Sequence, residues 1–356
     1  MKRQSYIAAV ATAAVIGTTG GAATALRADE PSAAAGRPGS GAGASTASTA
    51  EAAPLWATPG AIHDGDKVIE VKGMGRINSV RRLPDGGYLA TEPATPGSED
   101  PAKGVYRVSP EGQADLVTFI RGVGDVNADG TRFVGLDLKS DRYVVRDIAT
   151  GRELAEISVG PRRGSRPTGR AAYLDTRVAT EWRAPKAKRS YVYAVTPSSD
   201  ESPLVLAEGL SEWNVSAEGG RIAGNRPNRD PNADSNRCAV IGTLSQKKTI
   251  DCGHWFYGAQ AAYSPDGSRL LAVPALTDGF GPGRFDVLNS WDGSVEAEVD
   301  LPDWAQRGAF LDEDTLMVKG ATDGDGNGTV IYTCELDGQC RETARSEADA
   351  VLGITG

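Results

Sequence analysis

Short runs of β-branched and aromatic residues recur along the chain, bounded by Gly, Pro, Asp and Ser. Val68-Ile69-Glu70-Val71, Tyr143-Val144-Val145, Tyr191-Val192-Tyr193-Ala194-Val195 and Val330-Ile331-Tyr332 are examples. Runs of this length between turn residues predict strands. No stretch of about 12 residues or more carries an apolar stripe at helical period, so the chain reads as β from about residue 55 onward.

The strands come with a period. A small polar residue, an acidic residue, Gly and then an apolar run recur at Leu83-Pro84-Asp85-Gly86-Gly87-Tyr88-Leu89, Asn127-Ala128-Asp129-Gly130-Thr131-Arg132-Phe133, Ser216-Ala217-Glu218-Gly219-Gly220-Arg221-Ile222 and Ser264-Pro265-Asp266-Gly267-Ser268-Arg269-Leu270. Leu174-Asp175-Thr176-Arg177-Val178 and Leu311-Asp312-Glu313-Asp314-Thr315-Leu316 are degenerate copies. The acidic anchors Asp85, Asp129, Asp175, Glu218, Asp266 and Asp312 are spaced 44, 46, 43, 48 and 46 residues. A repeat of about 40–45 residues with four strands per unit is the mark of a β-propeller.

These units resemble WD-repeat-like blades of the kind also found in secreted TolB-like propellers. Ser264-Pro265-Asp266-Gly267 resembles the inner turn of such blades. Ala149-Thr150-Gly151-Arg152-Glu153-Leu154 and Trp291-Asp292-Gly293-Ser294-Val295 resemble the turn between third and fourth strands. The resemblance covers about residues 66–345, without the Gly-His of the full WD signature. The expected fold is an all-β propeller with six clear four-stranded blades. Val68–Lys72 as an outermost strand and Ala350–Ile354 as a starting one would close it as seven, with six as the alternative.

The N-terminus carries a different pattern. Met1-Lys2-Arg3 is basic, Tyr6–Ile16 is apolar and Ala23-Thr24-Ala25 is a small-residue site. That order is a secretory signal peptide over 1–25, with an uncleaved membrane anchor as the alternative. Residues 26–54 are Ala, Gly, Ser, Thr and Pro with few large apolar side chains, which predicts a disordered tether. The propeller domain then occupies 55–356, and the expected location is secreted or on the outer face of the cell envelope.

Composition narrows the chemistry. The chain has 356 residues, two His, four Cys and a formal net charge of −9. Two histidines leave no room for a multi-histidine metal site, and an acidic balance argues against nucleic acid as a partner. Cys238 and Cys252 fall in one expected hairpin, and Cys334 and Cys340 in another. With the export signal, this spacing predicts two structural disulfides rather than a redox or metal site. No G-x-S-x-G elbow and no P-loop is present.

Equivalent positions of the repeats nominate a site. The second strands end near Glu92, Asp137, Glu181 and Asn225, and the links between blades hold Arg162, Arg163, Arg166, Trp213, His254, Trp255, Tyr257 and Trp304. In a propeller these positions share one rim around the channel mouth, where loops on a rigid scaffold carry function. Carboxylates sharing that mouth would repel, raising some of their pKa values. Strand-end polar residues also bond neighbouring loops, and inter-blade Trp residues pack between blades, which is the plainer role for the same positions. Asp323, Asp325 and Asn327 open a loop with the alternate oxygens of a calcium site, although the closing Glu of an EF-hand falls on Cys334. Asp125-Val126-Asn127-Ala128-Asp129 is a weaker match of the same kind.

The expected function is a non-catalytic binding module that recognises a protein or cell-envelope ligand through Glu92, Asp137, Glu181, Asn225, Trp213, His254, Trp255 and Trp304, as a monomer and without a required cofactor. The alternative is an extracellular hydrolase or lyase that uses the mouth carboxylates, with calcium assistance.

Overall fold

The computed structural model describes residues 53–94, 102–157, 164–184, 190–197, 202–216, 220–230, 235–243, 247–250, 252–256, 262–275, 281–323 and 327–354. These lie in one unit, Thr49–Gly356. The expected signal peptide, nearly all of the tether, and Arg162, Arg163, Tyr257 and Asp325 lie outside the described residues.

Every described element is a strand. The first three are β1 (Leu55–Thr58), β2 (Ala61–Asp64) and β3 (Lys67–Glu70). Next come β4 (Ser79–Arg82), β5 (Tyr88–Pro93), β6 (Ala102–Val108) and β7 (Ala114–Val126), then β8 (Arg132–Asp137), β9 (Arg142–Asp147) and β10 (Glu153–Ile157). They are followed by β11 (Arg166–Leu174), β12 (Arg177–Arg183), β13 (Ser190–Val195) and β14 (Leu204–Glu208), and by β15 (Ser211–Val215), β16 (Arg221–Pro227), β17 (Arg237–Thr243) and β18 (Lys247–Thr249). The last are β19 (His254–Trp255), β20 (Ala262–Tyr263), β21 (Arg269–Pro274), β22 (Arg284–Asn289), β23 (Val295–Asp300), β24 (Ala305–Phe310), β25 (Thr315–Gly320), β26 (Thr329–Glu335), β27 (Cys340–Ser346) and β28 (Val351–Leu352).

Antiparallel pairing groups them into meanders. An eleven-stranded sheet contains the units β4–β7, β7–β10 and β11–β14, and four further sheets contribute one unit each, seven among the described residues. The thirteen-residue β7 serves two units: Ala114–Arg121 pairs with β6, and Ile120–Val126 pairs with β8. One sheet has the order β28-β1-β2-β3, so the last described strand is the partner of the first. Trp56 pairs with Leu352, and Ala57 with Val351.

The core is a set of seams. The buried apolar side chains fall into seven clusters among the described residues, and each joins two neighbouring units. Successive residues alternate between seams, as strand geometry requires. Leu55 and Ala57 pack toward β4 and β5, whereas Trp56 between them packs on Met317 and Ile331. Leu316 and Val318 face one neighbour and Met317 the other. Both faces of each sheet are therefore apolar, which explains the continuous Val/Ile/Leu runs in the sequence.

The repeated acidic anchors have a local cause. In four of the six copies the carboxylate Oδ1 accepts the backbone N–H two residues on: Gly87 to Asp85 at 3.0 Å, Thr131 to Asp129 at 3.0 Å, Ser268 to Asp266 at 2.9 Å and Asp314 to Asp312 at 2.9 Å. This is the Asx turn that such residues favour. The next residue in three of them is Gly86, Gly130 or Gly267, at φ 82°, 70° and 71°, where a side chain would strain the backbone. Burial opposes ionisation of Asp266, yet the Ser264 hydroxyl and the Ser268 N–H outweigh it and bring its pKa down to about 2.

Both expected cysteine pairs are bonded. Cys238–Cys252 and Cys334–Cys340 are disulfides, and the latter two are direct cross-strand partners on β26 and β27. No helix among the described residues is long and apolar enough to cross a membrane.

In the sheet that joins the two chain ends, His63 stacks on Trp56 with ring centroids 3.6 Å apart. Burial lowers the pKa of His63, so the folded state holds it neutral. Between that lowered value and an unfolded value of about 6.5, the unfolded chain binds more protons, and stability falls as pH drops. His63→Phe keeps an aromatic face on Trp56. It is expected to lose less melting temperature than the parent between about pH 8 and about pH 5. An equal loss would show that His63 is not the source.

Candidate functional site

In a four-strand meander the first–second and third–fourth turns lie on one edge. The second–third turns and the links to the next unit lie on the opposite, linking edge. The nominated residues Glu92, Asp137, Glu181 and Asn225 all sit where second strands reach that linking edge.

Their oxygens are engaged within the fold. Glu92 Oε1 accepts the backbone N–H groups of Gly75 (2.6 Å) and Arg76 (3.2 Å), in the link that leads into its own unit. Asp137 is buried. Its Oδ1 accepts Arg146 Nη2 (3.0 Å) and the Thr118 hydroxyl (3.3 Å), and its Oδ2 accepts the N–H groups of Lys139 (3.2 Å) and Ser140 (2.9 Å). Burial pushes this carboxyl up, but Ser140 and the Arg146 guanidinium outweigh it and hold it below the usual carboxylate range. The expected upward shift from crowded carboxylates is therefore reversed at Asp137, because its neighbours are donors rather than other acids. No group of three His, Cys, Asp or Glu side chains suited to a metal ion is present among the described residues.

Glu181 and Trp213 do come together. The Trp213 indole N–H donates to Glu181 Oε2 at 3.3 Å. The Glu181 carbonyl accepts the Tyr143 hydroxyl from the preceding unit at 2.7 Å. Trp213 lies on β15, not in a loop, and is 1% exposed. Its ring fills the seam between the β11–β14 and β15–β18 units, which corrects its expected place on an open rim. Arg170 Nη1 donates to the Trp213 carbonyl at 2.9 Å. Asn225 is likewise fully buried. Its amide donates to Glu212 Oε2 (2.5 Å) and to the Phe256 carbonyl (2.6 Å), and accepts the Phe256 N–H (2.8 Å).

His254 and Trp255 form a short strand paired with Pro274 and Val273, where a loop was expected. The Arg237 guanidinium lies 5.5 Å from the Trp255 ring centroid and donates to both oxygens of Glu212. His254 Nε2 is 2.9 Å from Oδ2 of Asp286, whose side chain is 1% exposed and also pairs with Arg284. In the calcium-like loop, Asp323 Oδ1 accepts the Asn327 N–H at 3.1 Å. Asp125, in the weaker match, is a structural link: it accepts Arg81 (2.8 Å) from one neighbouring unit and the Tyr173 N–H (2.9 Å) from the other.

No protein-family model matches the chain. No curated protein matches it. Solved structures do. The β-propeller domain of the Trilobed protease from Pyrococcus furiosus aligns with a TM-score of 0.53 at 12% identity, over 83% of this chain and 100% of that one. An oligogalacturonate lyase in complex with manganese aligns with a TM-score of 0.53 at 12% identity, over 75% and 76%. The chain is a β-propeller. TolB from Acinetobacter baumannii also aligns, with a TM-score of 0.45 at 13% identity, over 85% of this chain and 66% of that one.

The propeller's linking edge also holds groups that strand-end comparison did not nominate. Trp304 was nominated, and the residue is 41% exposed with its backbone at φ 65°. Arg183, Arg226 and Arg229 were not, yet they line a cleft of about 560 Å³ between the β11–β14 and β15–β18 units. Arg183 and Arg226 lie at or next to the ends of β12 and β16, one or two residues past Glu181 and Asn225. Reading on past the level of the carboxylates is the sequence signal that finds them. Lys103 and Asp286 lie inside third strands, where the sequence carries no such mark.

The bonding at Asp137 makes a prediction. Asp137→Asn removes charge-assisted acceptors from buried donors and is expected to cost about 1–3 kcal/mol. Because the folded pKa is depressed, this stabilisation is present above the unfolded carboxylate value near 4 and is lost as pH falls through the folded value. Urea unfolding at neutral and acid pH should show the difference between variant and parent shrinking in acid. A constant difference would remove ionisation from the account.

Proposed function

We propose that the protein is an exported, non-catalytic β-propeller that binds a protein or another cell-envelope component through its linking edge. We read the seven four-strand units as seven blades, with the composite β28-β1-β2-β3 blade closing the ring. Export is supported by the charge, apolar core and small-residue order at the N-terminus and by two disulfides, which persist in oxidising compartments.

Trp304 carries the binding reading. A left-handed backbone costs a bulky residue about 1–2 kcal/mol. Burial of the ring would offset that cost, yet 41% of the residue faces solvent. Trp is the residue type that most often concentrates binding energy at interfaces. The carboxylates of the same edge hold the fold together, so aromatic and cationic side chains are what this edge offers to a partner. A second reading, general-base catalysis, draws on His254 beside the buried Asp286 carboxylate. Its test is loss of turnover in His254→Ala on whatever envelope polymer the protein degrades.

Trp304→Gly separates binding from folding. Glycine accepts φ 65° without strain, so the relief offsets the lost packing and the melting temperature should stay within a few degrees. Capture of the partner from solubilised envelope fractions should fall by about tenfold or more. Running the capture with and without calcium tests the Asp323 loop as a cation site. Undiminished capture by Trp304→Gly would overturn the reading.

A further inference from the structure

We propose that the cleft between the β11–β14 and β15–β18 blades binds an oligomer bearing acidic groups spaced along a sugar or polyol backbone. The proposal deepens the binding reading by naming a ligand class for the same edge.

The walls belong to different blades. Arg183 closes β12 on one side, and Arg226 and Arg229 project from the end of β16 and the turn after it on the other. All three are exposed. Among the described residues none of the three guanidinium groups has an ion pair or a hydrogen bond. Several other arginines are tied into the fold: Arg82 by Asp64, Arg146 by Asp137, Arg237 by Glu212 and Arg284 by Asp286. Three cations against two lining carboxylates leave the cleft a formal excess of one positive charge, and closely placed cations without ion pairs favour a bound anion. Guanidinium forks match the oxygens of carboxylates and phosphates.

The frame is built to hold that shape. Gly209 N–H donates to the Ser190 carbonyl at 2.8 Å, and the Asn228 N–H and amide donate to the carbonyls of Asn236 (2.8 Å) and Ser235 (2.9 Å). The Cys238–Cys252 disulfide forms part of the lining. Two carboxylates, Glu208 and Asp230, also line the cleft. They make it selective, since anionic groups must sit near the arginines and neutral parts near the acids. Leu210, Pro227 and the disulfide supply an apolar stretch suited to the C–H faces of a sugar or polyol. The volume of about 560 Å³ suits an oligomer of a few residues.

The test uses the full chain and defined probes: a glucuronate trimer, a glycerol-phosphate trimer and neutral maltotriose, titrated by calorimetry at low salt. At least one acidic trimer should bind and maltotriose should not. Which acidic trimer binds assigns the source as carboxylate or phosphodiester. Arg183→Gln, Arg226→Gln and Arg229→Gln should each weaken binding by about three- to tenfold, and the triple variant should abolish it. Binding should also weaken between about 50 and about 500 mM NaCl. Arg177→Gln, at the opposite end of β12, makes the same charge change away from the cleft and should leave binding unaltered. Circular dichroism melting confirms that each variant is folded. The proposal falls if neither acidic trimer binds the parent, if maltotriose binds as well as they do, or if the folded triple variant binds like the parent. If the acidic trimers fail while envelope capture still depends on Trp304, this proposal alone is overturned and the binding reading stands.

Discussion

The last strand of the chain pairs with the first, and the rest of the ring depends on it. The pairing itself is small. It consists of Trp56 opposite Leu352, Ala57 opposite Val351, and the Gly353 N–H on the Leu55 carbonyl at 2.7 Å. The chain then runs on to the neighbouring blade, where the Ile354 N–H reaches the Val80 carbonyl at 3.0 Å. Without this pairing, two sheet edges and two apolar seams would face water. Joining residues so far apart in sequence adds little loop entropy per doubling of length, but it slows folding. Side chains reinforce it from both sides: Trp56 packs into the last full blade, and Asp64 bonds Arg82 and the Tyr88 hydroxyl (2.7 Å) of the next one.

Closure also sets how the polar groups near the first strands are spent. First strands of adjacent blades approach so closely that a Cβ on Gly122 would run into the Gly169 carbonyl. At that spacing unpaired polar groups are costly, and single side chains serve two or three blades. Asp125 links Arg81 behind it to Tyr173 ahead, and the Tyr143 hydroxyl accepts the Gly169 N–H and donates to the Glu181 carbonyl. The linking-edge carboxylates belong to this scheme. Each is bonded by a different set of donors: Glu92 by the link into its own unit, Asp137 by its own hairpins and Glu181 by Trp213 of the next blade.

How much of this was legible in the sequence follows from range. The blade turns were, because an Asx turn is decided by an acidic residue and a glycine within a few positions of each other. The disulfides were, because each closes a local hairpin. Participation of both chain ends in one sheet was expected from their apolar runs. The division of β7 between two blades was not, since Gly122, Gly124 and Asp125 read as a break in Ala114–Val126 and not as one strand shared by two units. Burial of Trp213 and Asn225 depends on which blade meets which at what height, a long-range property with no local mark. The bonding of Asp137 to Arg146 crosses one hairpin, yet nothing in the pattern distinguishes it from an exposed strand end.

The two edges of the propeller differ in what they cost to maintain. On the turn edge, Asx turns satisfy themselves and the left-handed positions fall to glycine and to Asp175 (φ 54°), a residue type that tolerates them. On the linking edge, two residues of types that avoid a left-handed backbone adopt one, Glu212 at φ 51° and Trp304 at φ 65°. Glu212 is compensated by Arg237 and Asn225. Trp304 stays 41% exposed, and the three arginines of the cleft have no ion pair among the described residues. A single exposed arginine costs almost nothing and signals nothing. The left-handed backbone of Glu212 and Trp304 and the arginines of the cleft both fall on the linking edge, and closure of the ring explains neither, which is why the proposed binding is assigned to that edge.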